Sequence, residues 1–473
     1  MPRARARLLA AGFGLAWALQ CAAGGGPTLA DTGPAGATPA DAPDRSAGPA
    51  AADEDEDDGR TWQAKFQTTY TFEKKLPFHA AYTGPNSLVT DPERSYTATA
   101  TAYLGWRPWR SAEVFVVPEV TQGLPFSNLT GLGGFTNGEL TRASGTNPRL
   151  YRQKLYLRQT WSLGGGREKE EAELEQFGKF VDRDRFVLTA GNFAALDVFD
   201  DNLYAKDPRT QFMNWGNMAY AAYDYPADAR GFAWGLAGEW YEGDWAFRFG
   251  RMTVPRDPNQ LSLDHRLASH YGDQIELEHG HTVAGQPGRI RVLAYRDRAR
   301  MASFQDALVY LETHPGSDPQ AIFAVRTGDK VKYGFGVNAE QAIGPDLGAY
   351  LRAMHSDGHT ETLAFTEVDQ SLAAGLVLKA AAWGRPLDNL GLSFMQNTIS
   401  RDRRNYLEAG GISFFIGDGA LRYAPERIVE LYYSATIVRD VSATVGWQHI
   451  QNPAYNADRG PVEVLAFRLH AEF

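Results

Sequence analysis

Residues 193–230 gather Asp197, Asp200, Asp201, Tyr204, Arg209, Trp215, Tyr220 and Tyr223 in one segment. Carboxylates and a guanidinium interleaved with aromatic rings suit a sugar: the apolar ring face stacks on an aromatic side chain while hydroxyls bond to the charged groups. A plain polar surface loop has the same composition. Upstream, Arg152 and Arg158 stand in an alternating stretch, and arginine presents a rigid fork of donors matched to adjacent hydroxyls. Other chemistries are poorly served. Glu276, Glu278, His279 and His281 are ligand types, but no third His lies at a motif spacing, so no metal is expected. The Asp-rich stretch Asp197 to Asn202 lacks the spacing of a calcium loop, which leaves ionic pairing with Arg209 as its account. A lipid-hydrolysing barrel would need Ser and His together on the wall. Few serines fall in alternating stretches and no G-x-S-x-G occurs, so no catalytic residue and no cofactor are assigned.

The elements that hold these residues alternate with a period of two. In the last strand Leu465, Phe467, Leu469, Ala471 and Phe473 form an apolar row against Ala466, Arg468, His470 and Glu472. An aromatic at the end of such a row resembles the signal read by the assembly machinery of outer-membrane barrels, though a soluble sandwich edge has the same alternation. Trp62, Ala64, Phe66, Thr68, Tyr70 and Phe72 alternate with Gln63, Lys65, Gln67, Thr69 and Thr71, and Tyr96 to Trp106 alternates with Thr97, Thr99, Thr101 and Tyr103. Leu155, Leu157, Trp161 and Leu163 oppose Arg152, Lys154, Arg158 and Thr160. Small inward threonines and glycines are expected to leave a lumen open.

Sixteen strands are read, near 62–72, 95–106, 112–121, 150–163, 184–192, 231–241, 244–254, 270–279, 288–299, 330–342, 346–356, 371–383, 388–398, 426–438, 441–451 and 461–473. Long and short connections alternate, as in a transmembrane antiparallel β-barrel with long extracellular loops, short periplasmic turns and outer-membrane lipid around it. The gap 164–183, with its charged run Arg167 to Glu175, breaks the rule. A barrel of this size encloses an aqueous channel unless a loop obstructs it, and the segment 193–230 is the infolding candidate.

Arg3, Arg5 and Arg7 precede the apolar run Leu8 to Leu19, a signal peptide pattern within residues 1–30, with cleavage after Ala23 or Ala30. Cleavage at either site would remove Cys21, the single cysteine. Residues 31–60 form an acidic tail rich in Ala, Pro and Gly that cannot bury enough apolar surface to order itself, and the barrel domain occupies 61–473. The formal charge of −10 falls heavily on that tail, so the barrel lacks the basic footprint of a nucleic-acid binder.

The blocks GLPFSNLTGLGGFTNGELTR (123–142), GNFAALDVFDDNLYAKDPRTQFMNW (191–215), WGRPLDNLGLSF (383–394), YLEAGGISFFIGDG (406–419) and NPAYNADRGPV (452–462) resemble the carbohydrate-selective porins of the OprB type. The resemblance runs from about Phe66 to Phe473. It implies a sixteen-stranded outer-membrane barrel through which monosaccharides, glucose among them, diffuse down their gradient; its oligomeric state stays open. The family builds a narrow eyelet from arginines, acids and aromatics. By that resemblance Asp197, Asp200, Asn202, Asp207, Arg209 and Trp215, with the inward Arg152 and Arg158, are the candidate pore-lining residues.

Overall fold

A computed structural model describes residues 59–140 and 145–473. The expected leader, both cleavage sites and nearly all of the acidic tail lie outside the described residues. Among the described residues sixteen strands close into one antiparallel barrel. They are β1 (Trp62–Lys75), β2 (Glu93–Trp109), β3 (Ala112–Leu124), β4 (Arg149–Glu170), β5 (Lys179–Phe193), β6 (Ala233–Glu242), β7 (Trp245–Met252) and β8 (Tyr271–Val283). The circuit continues through β9 (Gln286–Arg300), β10 (Asp329–Ala342), β11 (Leu347–Ser356), β12 (Gln370–Ala380), β13 (Arg385–Thr398), β14 (Glu426–Val438), β15 (Val441–Gln451) and β16 (Val462–Glu472). β16 closes on β1, with Tyr70 opposite Leu469 and Thr71 opposite Arg468, and Phe473 exchanges backbone hydrogen bonds with Phe66. Closure pairs every strand on both sides, so no ladder edge is left for lipid to meet.

Strand parity sorts the side chains as the alternation predicts. Leu465 and Phe467 stand exposed on the outer wall while Val464, Arg468 and His470 are buried inside. Trp62, Trp106, Trp109, Trp161, Trp240, Trp245 and Trp383 are all exposed near the ends that carry the short connections, forming the aromatic girdle of a bilayer interface. His279 belongs to this outer face, stacked 4.2 Å from Trp245, while Glu276 and Glu278 point inward. Parity thus separates the four residues that resembled a metal set.

The lumen differs from expectation. The inward threonines do not border open water: Thr71 and Thr97 are fully buried. Residues 125–140 fold in over them, with Thr136 donating to Glu73 at 3.1 Å, Asn137 to Thr97 at 3.1 Å, and Thr99 donating to Glu139 at 3.0 Å. Small wall residues make room for infolded chain rather than for solvent. Over the extracellular mouth the helices Phe304–Thr313 and Arg401–Glu408, each N-capped by a serine, pack together through Phe304 and Tyr406. Arg403, wholly buried there, is held by Glu367, by Asp369 at 2.7 and 3.0 Å, and by Thr362 at 3.1 Å.

Candidate functional site

The long connection between β5 and β6 crosses the lumen, fastened to the inner wall at several points around its circumference. Asp200 accepts from Arg352 Nε at 2.9 Å, from Asn338 Nδ2 at 2.6 Å and from the Tyr220 amide at 2.9 Å; its own amide donates to Glu276 at 2.8 Å. Asn202 donates to Asn338 Oδ1 at 2.7 Å and accepts from the amides of Tyr204 and Ala205, which fixes the turn that follows. On the far side Arg209 pairs with Glu119 at 2.8 Å and with Glu139, and Arg468 donates to the carbonyls of Pro208 and Gln211 at 2.7 and 2.8 Å. Glu430 accepts from the amides of Met213 and Asn214 and from Asn217 Nδ2 at 2.7 Å. Asp224 ends the circuit at Lys332, 2.8 Å away.

The connection leaves a charged rim facing the passage. The side chains of Asp201 and Lys206 are about two-fifths exposed and pair with each other; the Lys206 ammonium holds the Asp201 carboxyl well below the usual carboxylate range. The neighbouring wall is a ladder of alternating sign. Glu239 on β6 meets Arg248 on β7 at 3.3 Å, and Arg248 meets Glu276 and Glu278 on β8 at 2.9 and 3.1 Å. Arg291 on β9 then meets Glu278 at 2.6 Å and Glu340 on β10 at 3.3 Å. Arg248, Glu276, Glu278, Arg291 and Glu340 are all buried, so this arc of wall is an ionic network in which each desolvated charge has a partner of opposite sign.

The predicted residues divide into four groups. Asp197, Arg158 and Arg209 lie along the lumen: Asp197 is 2.8 Å from Lys154 Nζ, and Arg158 is 3.4 Å from Glu113. Asp200, Asn202 and Trp215 are buried anchors, with Trp215 wedged edge-on against Phe135 at 5.6 Å and beside Phe365 at 4.7 Å. Asp207 is local, accepting from the Arg209 amide and the Thr210 hydroxyl at 2.9 Å each. Arg152 is a correction. The β3–β4 register shifts between Val117 and Pro118, so Lys154 opposes Val117 while Arg152 opposes the outward Pro118. This one-residue bulge at Gln153 throws Arg152 to the outer wall, 5.0 Å over the Trp234 ring.

Sequence reasoning passed over Arg248, Arg291 and Arg352. Each interrupts an outward apolar row, Phe247 and Phe249 around Arg248 and Ile290 and Val292 around Arg291. A lone charge on the inward parity of a greasy strand was the available signal.

The model of the carbohydrate-selective porin family, OprB, matches residues 105–473. The high-pH structure of Pseudomonas putida OprB superposes with a TM-score of 0.64 at 15% identity, covering 87% of this chain and 94% of that one. The low-pH structure of the same protein gives 0.46 at 13% identity over 87% and 93%. The outer membrane channel DcaP of Acinetobacter baumannii gives 0.47 at 10% identity over 87% and 97%. No curated protein matches. At 15% identity the superposition on the high-pH structure speaks for the shared barrel fold alone.

Proposed function

This chain belongs to the OprB family of carbohydrate-selective porins, sugar-selective channels of the outer membrane, and we propose that it passes neutral monosaccharides such as glucose passively down their gradient. The observation that carries this reading is the connection 194–232, which crosses the lumen on buried ionic anchors and exposes both signs of charge at Asp201 and Lys206. A solute that carries only hydroxyls can exchange hydrogen bonds with such pairs without separating them. An ion must disturb the pairing electrostatically, and a wider solute must displace chain held by buried ionic anchors. Selection in this reading is by width and lining, without catalysis, and bilayer lipid is the partner of the outer wall.

Proteoliposomes loaded with the purified protein test it. Glucose uptake is expected to exceed that of a disaccharide and of an anion of glucose's size. Equal rates for all three would reduce the channel to a general diffusion porin.

A further inference from the structure

Among the described residues the short-connection end of the barrel has one large exception, and it turns inward. Ala112, the first residue of β3, lies opposite Gln159, yet the β4–β5 ladder runs on to Glu170 opposite Lys179. The register shifts on either side of Gly164, and Gly164, Gly165 and Gly166 have φ of 106°, 77° and 89°. A run of that kind is open to glycine alone without strain, and it lets the hairpin fold back.

Beyond the bend the hairpin tip climbs the inner wall. Lys179 meets Glu113 at 2.8 Å. Phe177, fully buried, lies 5.8 Å from the Phe115 ring with the Arg107 guanidinium 4.4 Å over it. A Cβ on Gly105 would come within 2.9 Å of the Phe177 ring, so the wall is cut away to receive it. Arg158 donates to the Glu175 carbonyl at 2.9 Å, and the Glu175 carboxylate accepts from the Tyr156 hydroxyl at 2.7 Å and from Lys154 at 2.6 Å. Lys154 also holds Asp197, at the root of the connection that descends from the extracellular side. One ammonium is therefore the meeting point of chain entering from both ends of the barrel.

We infer that the turn 171–178 is the periplasmic half of the selectivity constriction and that Glu175, with Lys154, sets its charge preference. The inference rests on the reading of the chain as a sugar channel and adds to it a second wall of the eyelet. Two features carry it. The turn occupies lumen that the barrel would otherwise leave to water, so it sets width. Its charges also complete a balanced set, Arg107, Lys154, Arg158 and Lys179 against Glu113, Glu170, Glu175 and Asp197. The side chains of Glu175 and Asp197 keep 20% and 29% of their surface open. Removing one carboxylate from that set leaves a net cation on the passage.

The test uses single channels of the full-length barrel in planar bilayers. Glu175→Gln is expected to raise the anion-to-cation permeability ratio severalfold by reversal potential. Replacing residues 163–184 by Asn-Gly, which joins the paired Ser162 and Arg185 through a two-residue turn, is expected to raise conductance severalfold and to admit a disaccharide. Should that variant fail to assemble, Glu175→Cys in the mature protein decides: a charged methanethiosulfonate reagent should react and lower the current. Unchanged selectivity in Glu175→Gln, or a cysteine that fails to react or reacts without altering the current, overturns the inference. Glucose passage by the unaltered protein tests the channel reading separately, because it does not depend on any change in the turn.

Discussion

The two faces of each strand are held in place by different physics. On the outside of β16 Leu465 and Phe467 need no partner; bilayer hydrocarbon accepts any apolar side chain that points into it, and the wall tolerates variety in shape. One residue along, Arg468 is buried and bound to the carbonyls of Pro208 and Gln211 and to Thr444. The same contrast recurs between Leu277 and Glu278 on β8 and between Leu351 and Arg352 on β11. The outer face is specified by its solvent, and the inner face is specified by partners that arrive from distant loops. An outer position therefore reports only polarity, whereas an inner position reports a particular neighbour.

Substitutions on the two faces should fail for opposite reasons. The largest effect is expected inside. Arg352→Ala strands the Asp200 carboxylate, which is buried beside it, and removing one member of such a pair costs about 3–5 kcal/mol, read as a fall in unfolding free energy in denaturant. Outside, Leu277→Arg in the middle of β8 is expected to cost roughly 2–4 kcal/mol in lipid, because the damage is depth-dependent desolvation with no partner lost. A wall that bore arginine at that position at no measurable cost would break the contrast. Smaller, and diagnostic of face, is the pair Arg158→Ala and Arg152→Ala. The first should change single-channel conductance or sugar block, and the second should leave both at wild-type values, since its guanidinium lies over Trp234 on the outer wall.

The smallest effect concerns the extracellular cap. His359 bonds to Asp402 at 2.7 Å, and that hydrogen bond raises its pKa above the ordinary 6.5. A folded value above the unfolded one gives stabilisation that is complete below the unfolded pKa and is lost as pH rises through the folded one. Protection of the amides around residues 357–361, taken relative to their intrinsic exchange rate at each pH, should therefore fall slightly from about pH 6 to about pH 8, within the range where histidine titrates. His359→Gln should remove that pH dependence.

Much of the barrel was legible because its solvent contrast is written residue by residue. Strand count, closure and outward rows follow from alternation and connection length, and the sixteen spans overlap their expected places, with β4 and β5 running on past 163 and before 184. Even the Gly-rich stretch Gly231 to Gly238 enters a regular strand, β6, where Trp234, Leu236 and Trp240 keep one parity. What misled was local or remote. A single bulged residue reversed the face of Arg152, and bulges leave no mark in a pattern read two residues at a time. Asp200, Asn202 and Trp215 were expected to line the pore or contact solute, whereas all three are buried. Their burial follows from Arg352, Asn338 and Phe365, which lie well over a hundred residues further along the chain.

The charged run Arg167 to Glu175 shows the division most clearly. By itself the sequence determined that this stretch violates the short-turn rule, and, through the period of two, which side of every regular strand meets lipid. Tertiary structure alone decided that the run folds inward and that Glu175 and Asp197 share Lys154. Alternation is enforced by two solvents acting on neighbouring residues and is therefore readable locally. The pairing of charges inside the lumen depends on which loops reach across it, a property of closure that no window of the chain contains.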